Sequence, residues 1–478
     1  MKNLDQAILA HFSPGFGGTK VPDWLKPWLE AGLGGITLFS SNTPSLEETA
    51  ALVKEIRSYS PQVIISIDEE GGDVTRLFVK EGSPFPSPAL LGRCDDISLT
   101  YNSYLELGQV LHEVGVDISF APVVDVATAD KNPIIGVRSF GNDFRSVATQ
   151  SAAAVRGFHD AGVSACIKHF PGHGGVEEDS HHHLPTLNGS LADLEKSHLY
   201  PFIESSAAGA QAIMVGHIIF PAIDPEDPAS CSRLVISDYL KKKLGFTGLV
   251  VTDALDMGAL GGPKKIAESA TRAMKAGADL LCFSGLYDQS EFVSSSFEAI
   301  KSAVEDGSLN PEDLITNGER LSLWRPDSPS VTHRSSELSR VALAGGMEVS
   351  GDVSIHEPLV HLVEMSANPT IAAGYVAWGM RRSLTHRGVK VKLESSDVML
   401  KDDENSQMIV AFRDAYRDKK LLQSLIRLEQ LYPDAIFIDM GWPTREFAPR
   451  NYIRTFGSGS IASDVAVDIL LSPAHQPA

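Results

Sequence analysis

Short, continuously apolar runs recur through the first two thirds of the chain, separated by more polar stretches with helical spacing. The runs begin near residues 6, 34, 63, 117, 164, 212, 248 and 279, as in GGITLF, VIISID and GLVVT. The spacing predicts helices over 46–58, 104–114, 146–161 and 264–276. Strands that are apolar on both faces and alternate with amphipathic helices are typical of a parallel sheet covered by helices.

Eight such units in succession predict a TIM (β/α)8 barrel over residues 1–325. The alternative is a doubly wound open sheet. In that fold, a dinucleotide site would need a GxGxxG turn after the first strand, and the sequence has none there. We therefore favour the barrel.

A second, smaller α/β domain is predicted at the C-terminal end of the chain. The Pro- and Ser-rich stretch LSLWRPDSPSVTHRSS has no periodicity, and we place a linker at 326–339. Residues 340–478 then carry three strand-like runs, TIAAGYVAWG, QMIVAFR and AIFIDMG, with a predicted helix over 420–432. The predicted fold class is α/β: a TIM barrel followed by a small α/β domain.

Composition excludes several classes of protein and partner. The 478 residues are 43% hydrophobic and 21% charged, which is ordinary for a folded globular protein. The formal net charge of −20 disfavours nucleic acid and anionic membranes as partners. The four cysteines form no CxxC pair, and no apolar run approaches membrane-spanning length. We expect a reduced, cytoplasmic protein.

Polar side chains stand where the predicted strands end, and in a barrel this is the functional face. A single aspartate there could cap the following helix. Carboxylates that alternate with lysine and histidine indicate a site instead. The residues are Asp68, Asp125, Lys168, His169, His217 and Asp253.

The loop KHFPGHGGVEEDSHHHLPTL, residues 168–187, is the most distinctive stretch. It contains turn-forming Pro and Gly and five histidines: His169, His173, His181, His182 and His183. One interpretation is a zinc site, as in a metal-dependent amidohydrolase, but the chain has no HExxH motif. A second is a solvated loop without a role. The third is a catalytic loop whose proton-transfer histidine is oriented by a carboxylate such as Asp179.

The combined motifs resemble the β-N-acetylglucosaminidase branch of glycoside hydrolase family 3. They are SIDEEGGDVTR, FAPVVDV, NPIIGVRSFGND, KHFPGHG followed by DSH, MVGHIIFPAID and GFTGLVVTDALDMGAL, and they span roughly 1–325. The C-terminal part is only loosely similar to the α/β domain that some members carry. Val137 departs from the family's usual Asp, and Asp73 stands where many members have Arg.

The resemblance implies a role for each residue that matches a family motif. Asp253 would be the catalytic nucleophile, and His181, paired with Asp179, the general acid and base. Residues Asp68, Arg138, Lys168 and His169 would bind sugar hydroxyls, with His217 and Met257 in or near the same pocket. No metal and no organic cofactor is implied.

The implied activity is that of an exo-acting, retaining β-N-acetylhexosaminidase. It would remove terminal N-acetylglucosamine from β-linked glycans through a covalent glycosyl-aspartate, with peptidoglycan fragments (muropeptides) as substrates in a bacterial cytoplasm. A β-N-acetylglucosaminide phosphorylase and a β-glucosidase of the same family remain alternatives. A sugar-binding barrel without activity is a further alternative, although binding alone needs neither Asp253 nor the Asp179–His181 pair.

Overall fold

A computed structural model of the chain describes residues 4–285, 289–331, 338–396 and 405–472. The chain divides into two compact units. The first unit comprises residues 1–69, 100–132 and 142–336, and the second comprises 70–99, 133–141 and 337–478. Two segments of the predicted barrel domain, 70–99 and 133–141, therefore make most of their contacts in the second unit.

The described part of the first unit contains eight parallel barrel strands. In chain order they are β1 (Phe12–Ser13), β2 (Gly35–Leu38), β3 (Ile64–Ile67), β4 (Ile118–Ser119), β5 (Ser164–Phe170), β6 (Ala212–Val215), β7 (Leu249–Thr252) and β8 (Leu281–Cys282). Seven of them, β2 to β8, lie within predicted apolar runs, whereas β1 overlaps the first run only at Phe12. All eight are buried along their full length, as expected for strands covered on both faces.

Pairing between neighbouring strands closes the barrel. Strands β2 to β7 form one parallel sheet in chain order, and β1 pairs with β8. The Thr37 amide donates to the Pro14 carbonyl oxygen at 3.0 Å, which joins β2 to the end of β1. A parallel bridge between Val251 and Leu280 joins β7 to the start of β8. The predicted TIM barrel is confirmed.

The helices that cover the barrel include all four predicted from the spacing. The described helices of the first unit are Leu4–Leu9, Lys26–Glu30, Leu46–Tyr59, Ile97–Glu113, Phe144–Asp160, Leu191–Glu195, Tyr200–Ala207, the π-helix Leu234–Lys243, Ile266–Ala276, Gln289–Glu305 and Pro311–Leu323. Side chains cap several of them; Asp143, for example, accepts the amides of Arg145 and Ser146. No helix in the described ranges is long and apolar enough to cross a membrane.

One predicted strand begins later than the sequence indicated. The run QAILAHF starts at residue 6, but Leu4–Leu9 is a helix and β1 begins at Phe12. The helix buries Ala7, Ile8 and Leu9. Its last carbonyl group, on Leu9, accepts the Gly34 amide at 3.0 Å. A short apolar run fits a buried helix as well as a buried strand, so the pattern alone could not separate them.

The second unit is built on a six-stranded sheet, counted over the described residues. Its strands are β9 (Glu348–Ser350), β10 (Leu359–Ser366), β11 (Lys390–Glu394), β12 (Ser406–Arg413), β13 (Ile436–Asp439) and β14 (Tyr452–Arg454). Their order is β9-β14-β13-β12-β10-β11, and β9 alone is antiparallel to its neighbour. The helices are Pro88–Cys94, Arg340–Gly346, Arg381–His386, Lys419–Leu431 and Ser460–Leu470. The predicted second α/β domain is confirmed.

The run TIAAGYVAWG, predicted as a strand, forms turns instead. The Gly374 amide donates to the Thr370 carbonyl oxygen at 2.9 Å, and Gly374 has a φ of +66°. This left-handed conformation ends an extended segment. Strand β10, which lies just before this run, has half of its eight residues partly exposed and is less uniformly apolar. Of the predicted linker 326–339, the structure describes 326–331 and 338–339, where neither helix nor strand forms.

The segments 70–99 and 133–141 are tied to the carboxyl edge of the second sheet. The Ser458 amide donates to Asp73 Oδ1 at 2.7 Å, and Arg413 Nη1 lies 3.8 Å from Asp73 Oδ2. Gly136 packs so closely that an added Cβ would lie 3.4 Å from Tyr416 and Trp442. Asp73, one of the departures from the family pattern, therefore has a specific partner in the second unit.

Gly34 provides a test of the barrel's packing. A Cβ at this position would lie 1.8 Å from the Ala10 carbonyl oxygen, so Gly34→Ala forces the backbone of the first two strands apart. We expect a loss of roughly 2 kcal/mol or more in unfolding free energy, seen as a lower melting temperature in calorimetry. The matched control is Gly345→Ala, whose added methyl group meets no atom within 4 Å. Equal melting temperatures for the two variants would contradict this packing.

Candidate active site

A buried ion pair lies at the carboxyl ends of β3 and β5. Lys168, on β5, donates from Nζ to Asp68 Oδ1 at 2.7 Å, and the two side chains are 2% and 19% exposed. A lysine this buried needs a carboxylate partner, because an unpaired charge is costly in a low-dielectric interior. The more exposed Asp68 retains acceptor capacity for hydroxyl groups. The pair can therefore offer a sugar both a donor and an acceptor.

Asp125 organises the backbone where β5 ends. Its carboxylate is fully buried, and Oδ2 accepts both the His169 amide at 3.2 Å and Nδ1–H of the same residue at 2.7 Å. Oδ1 accepts the His173 amide at 2.6 Å. The contact at Nδ1 places a proton on that nitrogen, which donates it to the carboxylate.

The predicted histidine–aspartate pair forms in the loop after β5. His181 Nδ1 lies 2.7 Å from Asp179 Oδ1, which also accepts the His181 amide at 2.9 Å. Burial acts to raise the pKa of Asp179, but the hydrogen bond and the charge of His181 outweigh it, so the pKa is lowered overall. Asp179 is therefore an anion that orients the imidazole, and His181 Nε2 is the nitrogen that can exchange a proton with a substrate.

Backbone contacts dock this loop onto the turn that follows β7. The Gly258 amide donates to the His181 carbonyl oxygen at 3.1 Å, and the Ala259 amide donates to that of Ser180 at 3.2 Å. A Cβ on Gly258 would lie 2.6 Å from the His181 oxygen, so the close approach requires glycine. His182 and His183 are exposed. The sequence alone did not show that the loop folds in this way.

Asp253 immediately follows β7. Its amide donates to the Val215 carbonyl oxygen at 3.0 Å, and its Oδ1 accepts the Ala254 amide at 2.8 Å. Burial acts to raise the pKa of Asp253, yet the neighbouring imidazoles of His217, His169 and His181 lower it overall. The result is an ionised, partly exposed carboxylate among histidines, which suits a nucleophile.

His217 and Met257 lie next to Asp253 along the barrel rim. His217 is fully buried; Nε2 lies 2.9 Å from the Ala254 carbonyl oxygen and Nδ1 lies 2.7 Å from Ser230 Oγ. A carbonyl only accepts, so Nε2 carries the proton and Nδ1 accepts from Ser230. Burial lowers the pKa of His217. The Nε2–H group therefore holds the Ala254 carbonyl in place, and the Met257 amide donates to the same carbonyl oxygen at 3.1 Å.

Arg138 belongs to the second unit, and its contacts there are extensive. Nε and Nη2 donate to the two oxygens of Glu70 at 2.8 Å each, and Nη1 donates to the Ile134 carbonyl oxygen at 2.9 Å. Both charged side chains are buried. The carboxylate partner of Arg138 is thus Glu70, a residue to which the sequence analysis gave no role. The role of Arg138 in sugar binding remains a prediction.

The histidines of the loop have separate partners. His169 and His181 each bind a carboxylate, and His173 contacts Ser180. In the part of the chain that the structure describes, no group of three or more His, Cys, Asp or Glu side chains is arranged to hold a metal ion. The loop geometry supports the proton-transfer interpretation.

Some supporting residues were not assigned roles from the sequence. Asp125 was noted as a strand-end carboxylate, but its hydrogen bonds to the loop depend on how the chain turns after residue 170. Ser230 and Ser180 carry no sequence signal, because isolated serines occur throughout the chain. Ser230 contacts the predicted site residue His217, and Ser180 contacts the loop histidine His173, to which no role was assigned.

Comparison with known proteins identifies the class of protein. The model of the glycosyl hydrolase family 3 N-terminal domain matches residues 20–322, a range that contains strands β2 to β8 and the site described above. The chain belongs to glycoside hydrolase family 3, so the predicted family is confirmed and the protein is a glycoside hydrolase.

Relatives and solved structures extend the comparison. A β-hexosaminidase of Chromobacterium violaceum is 35% identical over 256 residues, 52% of this chain and 71% of the relative. A β-hexosaminidase of Xanthomonas euvesicatoria is 34% identical over 310 residues, which are 63% of this chain and 89% of the relative. A family 3 β-N-acetylglucosaminidase from Paenibacillus is 28% identical, with a TM-score of 0.85 over 98% of this chain and 97% of that one. NagZ of Neisseria gonorrhoeae, solved in complex with N-trifluoroacetyl-D-glucosamine, is 27% identical, with a TM-score of 0.55. The match covers 65% of this chain and 97% of that one.

The pKa of His173 leads to a pH-dependent prediction. Burial is the main cause that lowers it to about 4, and the charge of His169 adds to the effect. Between pH 6.5 and 4 the unfolded chain binds a proton that the folded chain does not. Stability is therefore full above pH 6.5 and falls by up to about 3 kcal/mol as the pH drops to 4. His173→Gln removes this contribution, so its melting temperature should fall less steeply with pH. Parallel pH profiles for the variant and the wild type would contradict the assignment.

Proposed function

We propose that the protein is an exo-acting, retaining β-N-acetylglucosaminidase that removes terminal N-acetylglucosamine from β-linked glycans. The observation that carries the proposal is the Asp179–His181 pair, held at 2.7 Å on a loop docked beside the Asp253 strand end. Relatives named β-hexosaminidase and a β-N-acetylglucosaminidase of similar fold support the substrate class. The chemistry below needs neither a metal nor an organic cofactor.

In the first step Asp253 attacks the anomeric carbon of the terminal sugar. A bond forms between its carboxylate oxygen and C1 while the bond between C1 and the leaving oxygen breaks. The imidazolium of His181 gives its Nε2 proton to that oxygen, and Asp179 compensates the positive charge before the transfer. The lowered pKa of Asp253 keeps the nucleophile ionised.

In the second step water releases the sugar. His181, now neutral, accepts a proton at Nε2 from the attacking water, whose oxygen forms a bond to C1 while the ester bond to Asp253 breaks. Two displacements at the same carbon retain the β configuration. Asp68, Lys168 and His169 would bind the sugar hydroxyls, since they combine charge-assisted donors with acceptors at the rim of the barrel.

A β-N-acetylglucosaminide phosphorylase is the second candidate. The proton-transfer group on the acceptor side is an imidazole, which does not repel phosphate as a glutamate would. Phosphate would replace water in the second step and give the sugar 1-phosphate. A phosphate oxygen would form the bond to C1 while the ester bond to Asp253 breaks. With HPO4²⁻ as the acceptor no proton passes to His181, which regains its Nε2 proton from solvent before the next turnover.

We propose peptidoglycan fragments in the bacterial cytoplasm as the natural substrates. The resemblance to the peptidoglycan-recycling branch of the family supports this choice. A muropeptide would place its terminal N-acetylglucosamine in the pocket and leave the rest of the molecule as the departing group.

Substrate selectivity tests the proposal directly. We expect 4-nitrophenyl β-N-acetylglucosaminide to be hydrolysed with a kcat/KM at least roughly 100-fold above that of the matched glucoside, because each buried polar contact to the acetamido group adds discrimination. Running each assay with and without phosphate, and analysing products for sugar 1-phosphate, distinguishes hydrolysis from phosphorolysis. Preference for the glucoside would exclude the proposed activity.

His181→Ala tests the proton donor. A substrate with a poor leaving group, such as an alkyl glycoside, depends on protonation, so its kcat/KM should fall by about 10²–10⁴. The 4-nitrophenyl substrate leaves without such help and should fall far less. The reference variant Asp253→Ala should reduce both substrates alike, by about 10⁴ or more, because the nucleophile is needed for either. Equal losses on both substrates in His181→Ala would exclude His181 as the acid.

A further inference from the structure

The catalytic loop contains an interior hydrogen bond that the proposed mechanism does not use. His173 Nε2 lies 2.9 Å from Ser180 Oγ, and both residues are at most 1% exposed. Ser180 stands between Asp179 and His181 in the chain. The hydrogen bond therefore lies on the buried side of the loop, at the residue that joins Asp179 to His181.

His173 does not itself exchange protons at neutral pH. Because burial lowers its pKa to about 4, the imidazole is neutral there, and its Nε2 can accept the Ser180 hydroxyl proton. Within the described residues, Nδ1 has no hydrogen-bond partner. The hydrogen bond of the His173 ring within the described residues is thus the one to Ser180.

The backbone of His173 is fixed as firmly as its ring. Its amide donates to Asp125 Oδ1 at 2.6 Å, and its carbonyl oxygen accepts Asn132 Nδ2 at 2.8 Å. Asn132 also donates to the Val176 carbonyl oxygen at 2.8 Å. His173 is therefore a rigid point in a loop that has no helix and, before Thr186, no strand pairing.

We infer that His173 and Ser180 are positioning residues that hold the Asp179–His181 pair in place for proton transfer. This rests on the proposed function, since it concerns the same acid and base. The Ser180 side chain is held by His173 while its carbonyl oxygen accepts the Ala259 amide at 3.2 Å. The two contacts fix Ser180 through its side chain and its backbone. They therefore restrict the positions of the adjacent residues Asp179 and His181. A displacement of about 1 Å is enough to reduce proton transfer strongly.

The test is Ser180→Ala, assayed by kcat/KM on an alkyl and a 4-nitrophenyl β-N-acetylglucosaminide. We expect the alkyl substrate to lose roughly tenfold and the 4-nitrophenyl substrate to lose less than about twofold, since only the former needs the acid. In a His181→Ala background the same substitution should have no further effect, because both residues act through one proton. His173→Leu should reproduce the pattern, and His173→Gln, which keeps a polar atom near the Nε2 position, should recover most of the loss.

The matched control is Ser237→Ala, which removes a hydroxyl that donates to the Ala276 carbonyl oxygen at 2.7 Å elsewhere in the first unit. It should leave both kcat/KM values unchanged. Equal losses on both substrates in Ser180→Ala, or additive losses with His181→Ala, would overturn the inference. If His181→Ala reduces kcat/KM equally for both substrates, His181 is not the proton donor. That outcome overturns the proposed mechanism and is distinct from a failure of the positioning role of His173 and Ser180.

Discussion

The buried carboxylate of Asp125 is the interaction on which the rest of the site depends. It has no exposed surface, so its charge is tolerated only because N–H groups surround it. Its Oδ2 accepts hydrogen bonds from the ring and the amide of His169, and its Oδ1 accepts one from the amide of His173. The end of β5 and the start of the loop that follows it are therefore fixed by a single group. Loss of Asp125 would leave N–H groups unsatisfied on both sides.

Much of the architecture could be predicted from the sequence, because parallel barrel strands are buried on both faces and appear as uniform apolar runs. Strand ends then locate the polar residues without any knowledge of the loops. An apolar run indicates burial but does not by itself distinguish a strand from a helix or a turn. The run QAILAHF is buried as a helix, and TIAAGYVAWG turns at Gly374 although its composition suits a strand.

Within the site, short-range contacts were predicted better than long-range ones. The Asp179–His181 pair needs only two residues and a tight turn, so spacing and family resemblance sufficed. The choice of Glu70 as the partner of Arg138 could not be predicted, because several carboxylates lie near one another in the sequence and the chain path decides among them. Serine partners such as Ser180 and Ser230 could not be predicted, because each contacts an imidazole only once both groups are buried together in the folded chain.

The contacts of segments 70–99 and 133–141 affect how this protein can evolve. Both segments lie between barrel strands in the chain, yet Asp73 binds Ser458 and Gly136 packs on Tyr416 and Trp442. The Xanthomonas relative matches 63% of this chain, so that likeness leaves more than a third of the chain unmatched. A genetic exchange at the linker that brought in a different C-terminal domain would leave the Asp73 carboxyl group without its Ser458 partner. A different C-terminal domain would therefore need matching residues opposite Asp73 and Gly136, so an exchange at the linker alone would not restore these contacts.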